Sequence, residues 1–290
     1  MKKSDRFITI IFLAFLAIVV FALFSNIHWL SKSSISKSRG NIAVVDIKGV
    51  IVSAEKIAGQ LTKYRQRSNI KGMIIRIDSP GGGSAAFQEI YREIRRVRES
   101  GIPVIASIAS VGASGGYYAA LGATKIMANP GSIVGSIGVI VDFPVAVELL
   151  NKIGVDFQTV KSGQYKDMGS PYREFTPEDE KQLDFVVQDI FDQFVTTIAA
   201  ERGILKKKLL KISDGRIFTG SQAKELSLID TLGTFEDAVL MIAEMAGIQG
   251  RPKLVFSQKQ KKTLFDILFS DIEEVISLIT PIPTLNYIWR

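Results

Sequence analysis

Two hundred and ninety residues, with 36 Lys plus Arg against 29 Asp plus Glu, one His and no Cys, already remove several chemistries. Without Cys there is no disulfide framework, thiol nucleophile or thiolate metal site, and His28 alone builds no multi-histidine zinc centre. The net charge of +7 is concentrated in residues 1–40, which carry six basic side chains and one acid, so the remainder gives no reason to expect a nucleic-acid partner.

Residues 1–6 read as a short cytoplasmic tail carrying Lys2, Lys3 and Arg6. The next segment, 7–27, holds no charged residue across 21 positions. As a helix it would measure about 31 Å, close to the hydrocarbon thickness of a bilayer, and it exceeds the core of a cleaved signal peptide. It reads as a transmembrane anchor, with the N-terminus cytoplasmic and the rest of the chain outside the cytoplasm. Residues 28–41, rich in Ser and Lys, read as a linker. Trp29 suits a membrane interface, which makes His28 a boundary residue rather than a catalytic one.

From residue 42 onward strands and helices alternate. Residues 42–52 form a β-branched run, 54–67 a helix, and 72–77 a buried strand that ends at Asp78-Ser-Pro-Gly-Gly-Gly83. Residues 84–100 place Phe87, Ile90, Ile94 and Val97 on one helical face. A strand at 103–109 leads into a segment of small residues at 110–123, and further β-type runs lie at 125–128, 136–141 and 157–160, with a helix at 144–152. This alternation predicts an α/β layered domain with much parallel pairing. Thr176-Pro-Glu-Asp179 then opens a long amphipathic helix that runs to about Arg202, with Thr as cap and Pro at the first helical position. The rest looks mainly helical, with helices at 220–226 and 235–246. An apolar-acidic stretch at 263–280 follows the basic run 259–262; packing on a neighbouring subunit is the favoured reading, membrane-surface contact the other.

Three segments carry residues able to do chemistry. In 78–83 three glycines let the backbone take positive φ and approach a ligand, as an oxyanion or phosphate site requires; on that segment alone a plain strand-to-helix turn is the better explanation. It is no P-loop, because no Gly-Lys-Ser/Thr follows. In 110–118, Ser114 precedes Gly115 and Gly116 at an expected helix start, where a hydroxyl has a close N–H beside it. Small-residue helix packing is the competing explanation, and on that segment alone the better one. In 161–173, Lys161 and Lys166 occupy a loop; a lysine serves as base only if desolvation lowers its pKa, and two solvated lysines are the simpler reading. No metal or cofactor motif is present.

Taken together the segments resemble the bacterial signal peptide peptidase A family of membrane-anchored serine proteases. The likeness covers about 42–250 and rests on five motifs in order: DSPGGG at 78–83, ASGGYYAA at 113–120, GSIGVI at 135–140, KSGQYKDMGSPYR at 161–173 and FTGSQAKELSLIDTLG at 218–233. Asp78 stands where Asn is frequent in the family, and Ser227 where Gly is usual. The resemblance implies a Clp-protease/crotonase-like α/β fold and a Ser–Lys dyad, with Ser114 as nucleophile, Lys166 as general base and Ser136 orienting the lysine. It implies an oxyanion hole from the N–H groups of Gly82 and Gly115, with no metal and no cofactor. It further implies hydrolysis of cleaved signal peptides and similar hydrophobic peptides. With one catalytic unit in residues 42–250, a complete groove implies a ring-shaped homo-oligomer, to which 251–290 would contribute as a tail. Three rivals stand beside this: a related membrane protease that cuts a specific partner such as a stomatin-like protein, a crotonase-like acyl-CoA enzyme, and a non-catalytic scaffold.

Overall fold

The computed structural model describes residues 41–256 and 286–289. Three long strands form its centre: β1 (Ile42–Ile51), β2 (Gly72–Gly83) and β3 (Val104–Ala113). Their apolar residues are buried consecutively rather than alternately, as strands covered on both faces require. Ala43, Val45, Ile47, Ile75, Ile77, Ala106 and Ile108 pack into the larger core, whereas Ile42, Val44, Ile74 and Ile105 pack into a second one. The period of two thus sends alternate side chains to two helical layers.

The larger core is covered by α1 (Glu55–Arg65), α2 (Ser84–Glu99), the short α3 (Gly115–Ala120) and the 26-residue α5 (Pro177–Arg202). Phe87, Ile90, Ile94 and Val97, the stripe legible in the sequence, are all fully buried on α2. The opposite face is covered by α8 (Phe235–Met245), through Ala238, Val239 and Ile242. Between these lie α4 (Val147–Ile153), α6 (Lys206–Leu209) and α7 (Gly220–Glu225).

The sheet runs in the order β6-β5-β3-β2-β1-β8, where β5 is Ile133–Gly135, β6 is Ile217–Thr219 and β8 is Leu254–Phe256. β4 (Lys125–Ala128) pairs with the first half of β3 and with β7 (Thr231–Leu232), while β5 pairs with the second half of β3. All of these pairings are parallel except β5 with β6. A ninth strand, β9 (Asn286–Ile288), lies antiparallel along Gly81–Gly83 of β2. The expected α/β fold with a largely parallel sheet is therefore present, and the sheet takes in strands beyond residue 250.

Several local expectations are corrected. The strand expected to stop at Ile77 continues through Gly83, because Val50, Ile51 and β9 supply ladder partners to the glycines. Non-local pairing overrides their weak strand propensity. The strand at 103–109 likewise extends to Ala113. Residues 136–141 form no strand: Ser136 sits at φ +49°, which breaks the extended run, and only Ile140 makes an isolated bridge, to Asn286. Residues 157–160 form no strand either; Phe157 and Val160 are exposed, and the Phe157 ring stacks on Tyr172 at 3.8 Å. Among the described residues no helix is long and apolar enough to cross a membrane, and the anchor expected at 7–27, linker residues 28–40 and the 263–280 stretch lie outside them.

Candidate active site

Asp78–Gly83 is strand rather than turn, and its side chains explain how it is held. The Ser79 hydroxyl donates to the Gly49 carbonyl at 2.6 Å and accepts from the Gly81 N–H at 3.2 Å. The Asp78 carboxylate accepts from the Val111 N–H at 3.1 Å, tying β2 to β3. Gly81 and Gly82 sit at φ +115° and +151°, and a Cβ would lie 1.8 Å from the Tyr287 carbonyl oxygen at Gly81 and 2.1 Å from the Ile51 carbonyl oxygen at Gly82. Glycine is required here because other backbones approach on both sides.

Ser114 joins the end of β3 to α3 at φ +50°, ψ −114°, a region non-glycine residues occupy at a cost of about 1–3 kcal/mol. Among the described residues three non-glycines have positive φ, and two of them are the serines singled out from the sequence, Ser114 and Ser136. The Ser114 side chain is buried, yet among the described residues its Oγ has no hydrogen-bond partner. A buried hydroxyl without a partner is costly, so such atoms mark places where something other than stability decides the residue. Gly115 and Gly116 follow because a Cβ would fall 2.3 Å from the Phe87 ring at the first and 2.7 Å from the Ser79 carbonyl oxygen at the second. Tight packing thus coexists in this segment with a helix start, whose first N–H groups have no partner within the helix.

The pairing of β3 with β5 brings Ser136 alongside. The Ser114 N–H donates to the Gly135 carbonyl at 2.7 Å, and the Ser136 N–H to the Arg216 carbonyl at 2.8 Å. Ser114, Gly115, Ser136 and the glycine strand therefore converge at the carboxyl end of the parallel strands, where open α/β sheets place ligands.

Lys166 makes no hydrogen bond to them among the described residues. It lies on a one-turn 3-10 helix, Gln164–Asp167, within a segment whose residues from 151 to 166 are all exposed. The strand expected at 157–160 does not form, so it supplies no burial to this loop in the single chain. Lys161, its rival, is already engaged: Nζ donates to Asp167 at 2.7 Å and to the Gln164 carbonyl at 3.1 Å. The Lys166 side chain makes no hydrogen bond or ion pair among the described residues. Arg173 spans from Asp167, at 2.8 Å, to Asp179, at 2.5 Å. The guanidinium of Arg173, then the Lys161 ammonium, hold the Asp167 carboxyl down at about 2. Arg173 and the Thr176 N–H hold Asp179 lower still.

One further part was invisible in the sequence. β9 lies against the glycine strand, with Trp289 N–H donating to the Pro80 carbonyl at 2.8 Å and Asn286 exchanging two bonds with Ile140 at 3.0 and 3.1 Å. Tyr287 is fully buried, stacked on Tyr118 at 5.2 Å and set 4.7 Å from Phe194, with its hydroxyl donating to the Ile190 carbonyl at 3.2 Å. Beside it a cavity of about 510 Å³ is lined by Ser136, Ile140, Phe191, Asp214, Ile288 and Trp289. The edge that carries the glycines accepts an extended segment.

The family model described as Peptidase family S49 matches residues 96–249, which include Ser114, Ser136 and Lys166. The chain belongs to peptidase family S49. A protein of Synechocystis sp. named as a candidate protease is 43% identical over 76% of this chain and 78% of its own length. One of Enterococcus faecium, named as a candidate signal peptide peptidase, is 37% identical over 62% of this chain and 52% of the relative. A chloroplast serine protease of Arabidopsis thaliana is 33% identical over 81% of this chain and 35% of the relative. The acyl-CoA enzyme and the passive scaffold weighed earlier thereby lose ground to proteolysis, the activity named by the S49 family.

Proposed function

We propose that this S49 peptidase is a serine endopeptidase in which Ser114 attacks the substrate carbonyl and Lys166 takes the Ser114 proton. The observation that carries the reading is the Ser114 hydroxyl: buried, without a partner among the described residues, on strained backbone, and next to a helix start. The neutral lysine amine would remove the proton and return it, as ammonium, to the leaving amine; water then repeats the sequence on the acyl-enzyme. N–H groups of Gly115 and Gly82 would receive the negative charge that develops on the carbonyl oxygen, and Ser136 would hold the lysine ammonium. That Lys161 is tied to Asp167 while Lys166 is not supports Lys166 as the base.

A lysine base needs desolvation, and assembly can provide it. Val145, Leu149, Ile153, Phe157 and Val160 are exposed on the stretch before Lys166, which supports a ring-shaped homo-oligomer that buries this segment. Substrates would be extended, hydrophobic peptides such as cleaved signal peptides; the seating of Asn286–Ile288 along Gly81–Gly83 supports an extended binding mode. The uncharged stretch 7–27 supports a membrane-anchored protein with a cytoplasmic N-terminus and the protease domain at 42–250 on the far side. The test is hydrolysis of a panel of signal-peptide-like substrates. Ser114→Ala and Lys166→Met are each expected to abolish cleavage while the protein stays folded, and Lys161→Met to retain it. Full activity in Ser114→Ala or Lys166→Met overturns the dyad.

A further inference from the structure

The Lys166 turn poses a mechanical problem. A base must be held within a fraction of an ångström, and displacement by about 1 Å costs on the order of 10²-fold in rate. Yet within the single chain no residue of the turn is buried, and the sixteen residues ending at Lys166 are all exposed, so apolar packing within the chain does not fix it. What ties the turn down is ionic. Asp167, the neighbour of Lys166, accepts from Arg173 at 2.8 Å, and the other arm of the same guanidinium reaches Asp179 at 2.5 Å. Asp179 is itself held: its side chain is 1% exposed, and in the capping box of α5 its carboxylate accepts from the Thr176 N–H at 3.0 Å while its own N–H donates to the Thr176 hydroxyl at 3.2 Å.

The chain between the two anchor points has little slack. The Ser170 N–H donates to the Asp167 carbonyl at 3.0 Å, and the Ala146 N–H to the Pro171 carbonyl at 2.8 Å. Gly169 has the Phe143 ring where a Cβ would be, 2.4 Å away. Movement at Arg173 is therefore passed on to Asp167 and to the lysine beside it. The same carboxylate also occupies Lys161.

We propose that Arg173 is a positioning residue for the lysine base, mooring the turn that bears Lys166 to the capped start of α5. The inference rests on Lys166 being that base. A planar fork suits the task, since one guanidinium reaches two carboxylates at once and one ammonium does so poorly.

The test is steady-state kinetics of the full chain on one peptide substrate, with Arg173→Ala, Arg173→Lys, Asp179→Asn and Lys166→Met. Thermal unfolding and circular dichroism give the folded fraction of each. Arg173→Ala is expected to lower kcat by about 10- to 100-fold with KM within about twofold, because the substrate groove is left intact. Arg173→Lys is expected to recover part of the loss. Asp179→Asn, which cuts the mooring from the helix side while leaving an acceptor for the cap, should lower kcat in the same direction. Wild-type kcat in Arg173→Ala, or a loss only in proportion to unfolded protein, overturns the mooring. Full activity in Lys166→Met overturns the base assignment instead, so the two failures are told apart.

Discussion

Ser114→Ala tests the site through stability as well as through activity. In the folded single chain the Ser114 Oγ is buried and has no hydrogen-bond partner among the described residues. In the unfolded chain water satisfies it, so folding forfeits those bonds at a cost of about 1–3 kcal/mol. Alanine deletes the hydroxyl and keeps the Cβ, leaving the backbone geometry at φ +50° unaltered. The variant should therefore be more stable by about 1–2 kcal/mol, which for a domain of this size raises Tm by roughly 2–8 °C. Urea unfolding followed by circular dichroism, together with scanning calorimetry, measures the gain; peptide hydrolysis in the same preparation should be lost. Greater stability with lost activity is the pattern of a group retained for chemistry. A Ser114→Ala variant no more stable than wild type would show that the hydroxyl is satisfied in the folded chain, and the reasoning would fail.

Gly82→Ala should destabilise by several kcal/mol in urea unfolding, since its Cβ would overlap the Ile51 carbonyl inside the central β1–β2 ladder at a positive φ. Gly81→Ala, which meets Tyr287 instead, should cost less, because only the short β9 is displaced. The Asp167 carboxyl, held at about 2 chiefly by Arg173, should titrate near that pH by NMR and return toward 4 in Arg173→Ala. Because the folded value is depressed, its contribution to stability is full above about pH 4 and is lost as pH falls toward 2; a wild-type midpoint near 4 would contradict the ion pairs. Phe87→Ala should destabilise by about 3–5 kcal/mol in the same unfolding assay and lower kcat, since its ring packs against Gly115 beside the proposed nucleophile.

Much of the framework was legible because it depends on short-range pattern. Phe87, Ile90, Ile94 and Val97 specify α2 by spacing alone, and Thr176 with Asp179 marks the start of α5 within one turn. The glycines at 81–83 point in sequence to a turn; they are strand because β1 and β9 lie against them, a partnership set by residues far away in the chain. Phe157 and Val160 have the composition of a strand but no neighbouring edge to pair with. At the site, the serines and glycines could be picked out by their motifs, while the strain at Ser114 and its missing partner are properties of backbone geometry alone. Arg173 was legible only as part of a motif: its two carboxylates lie six residues to either side, and nothing but the fold brings them to one guanidinium. Tyr287 carried no signal, since its pocket is assembled from α2, α3 and α5.

The strand order also dictates a sequence of events during synthesis. β1, β2 and β3 can zip together with α1 and α2 as soon as the first third of the domain has emerged, since each link is separated by few residues. The partner that closes the edge of β2 at Gly81–Gly83 comes about two hundred residues later, one of the longest loop closures the fold makes. Until then a growing chain displays an unpaired ladder at that edge, the kind of surface that recruits other extended polypeptides. A nascent or truncated copy is therefore more exposed to edge-to-edge aggregation than the finished one.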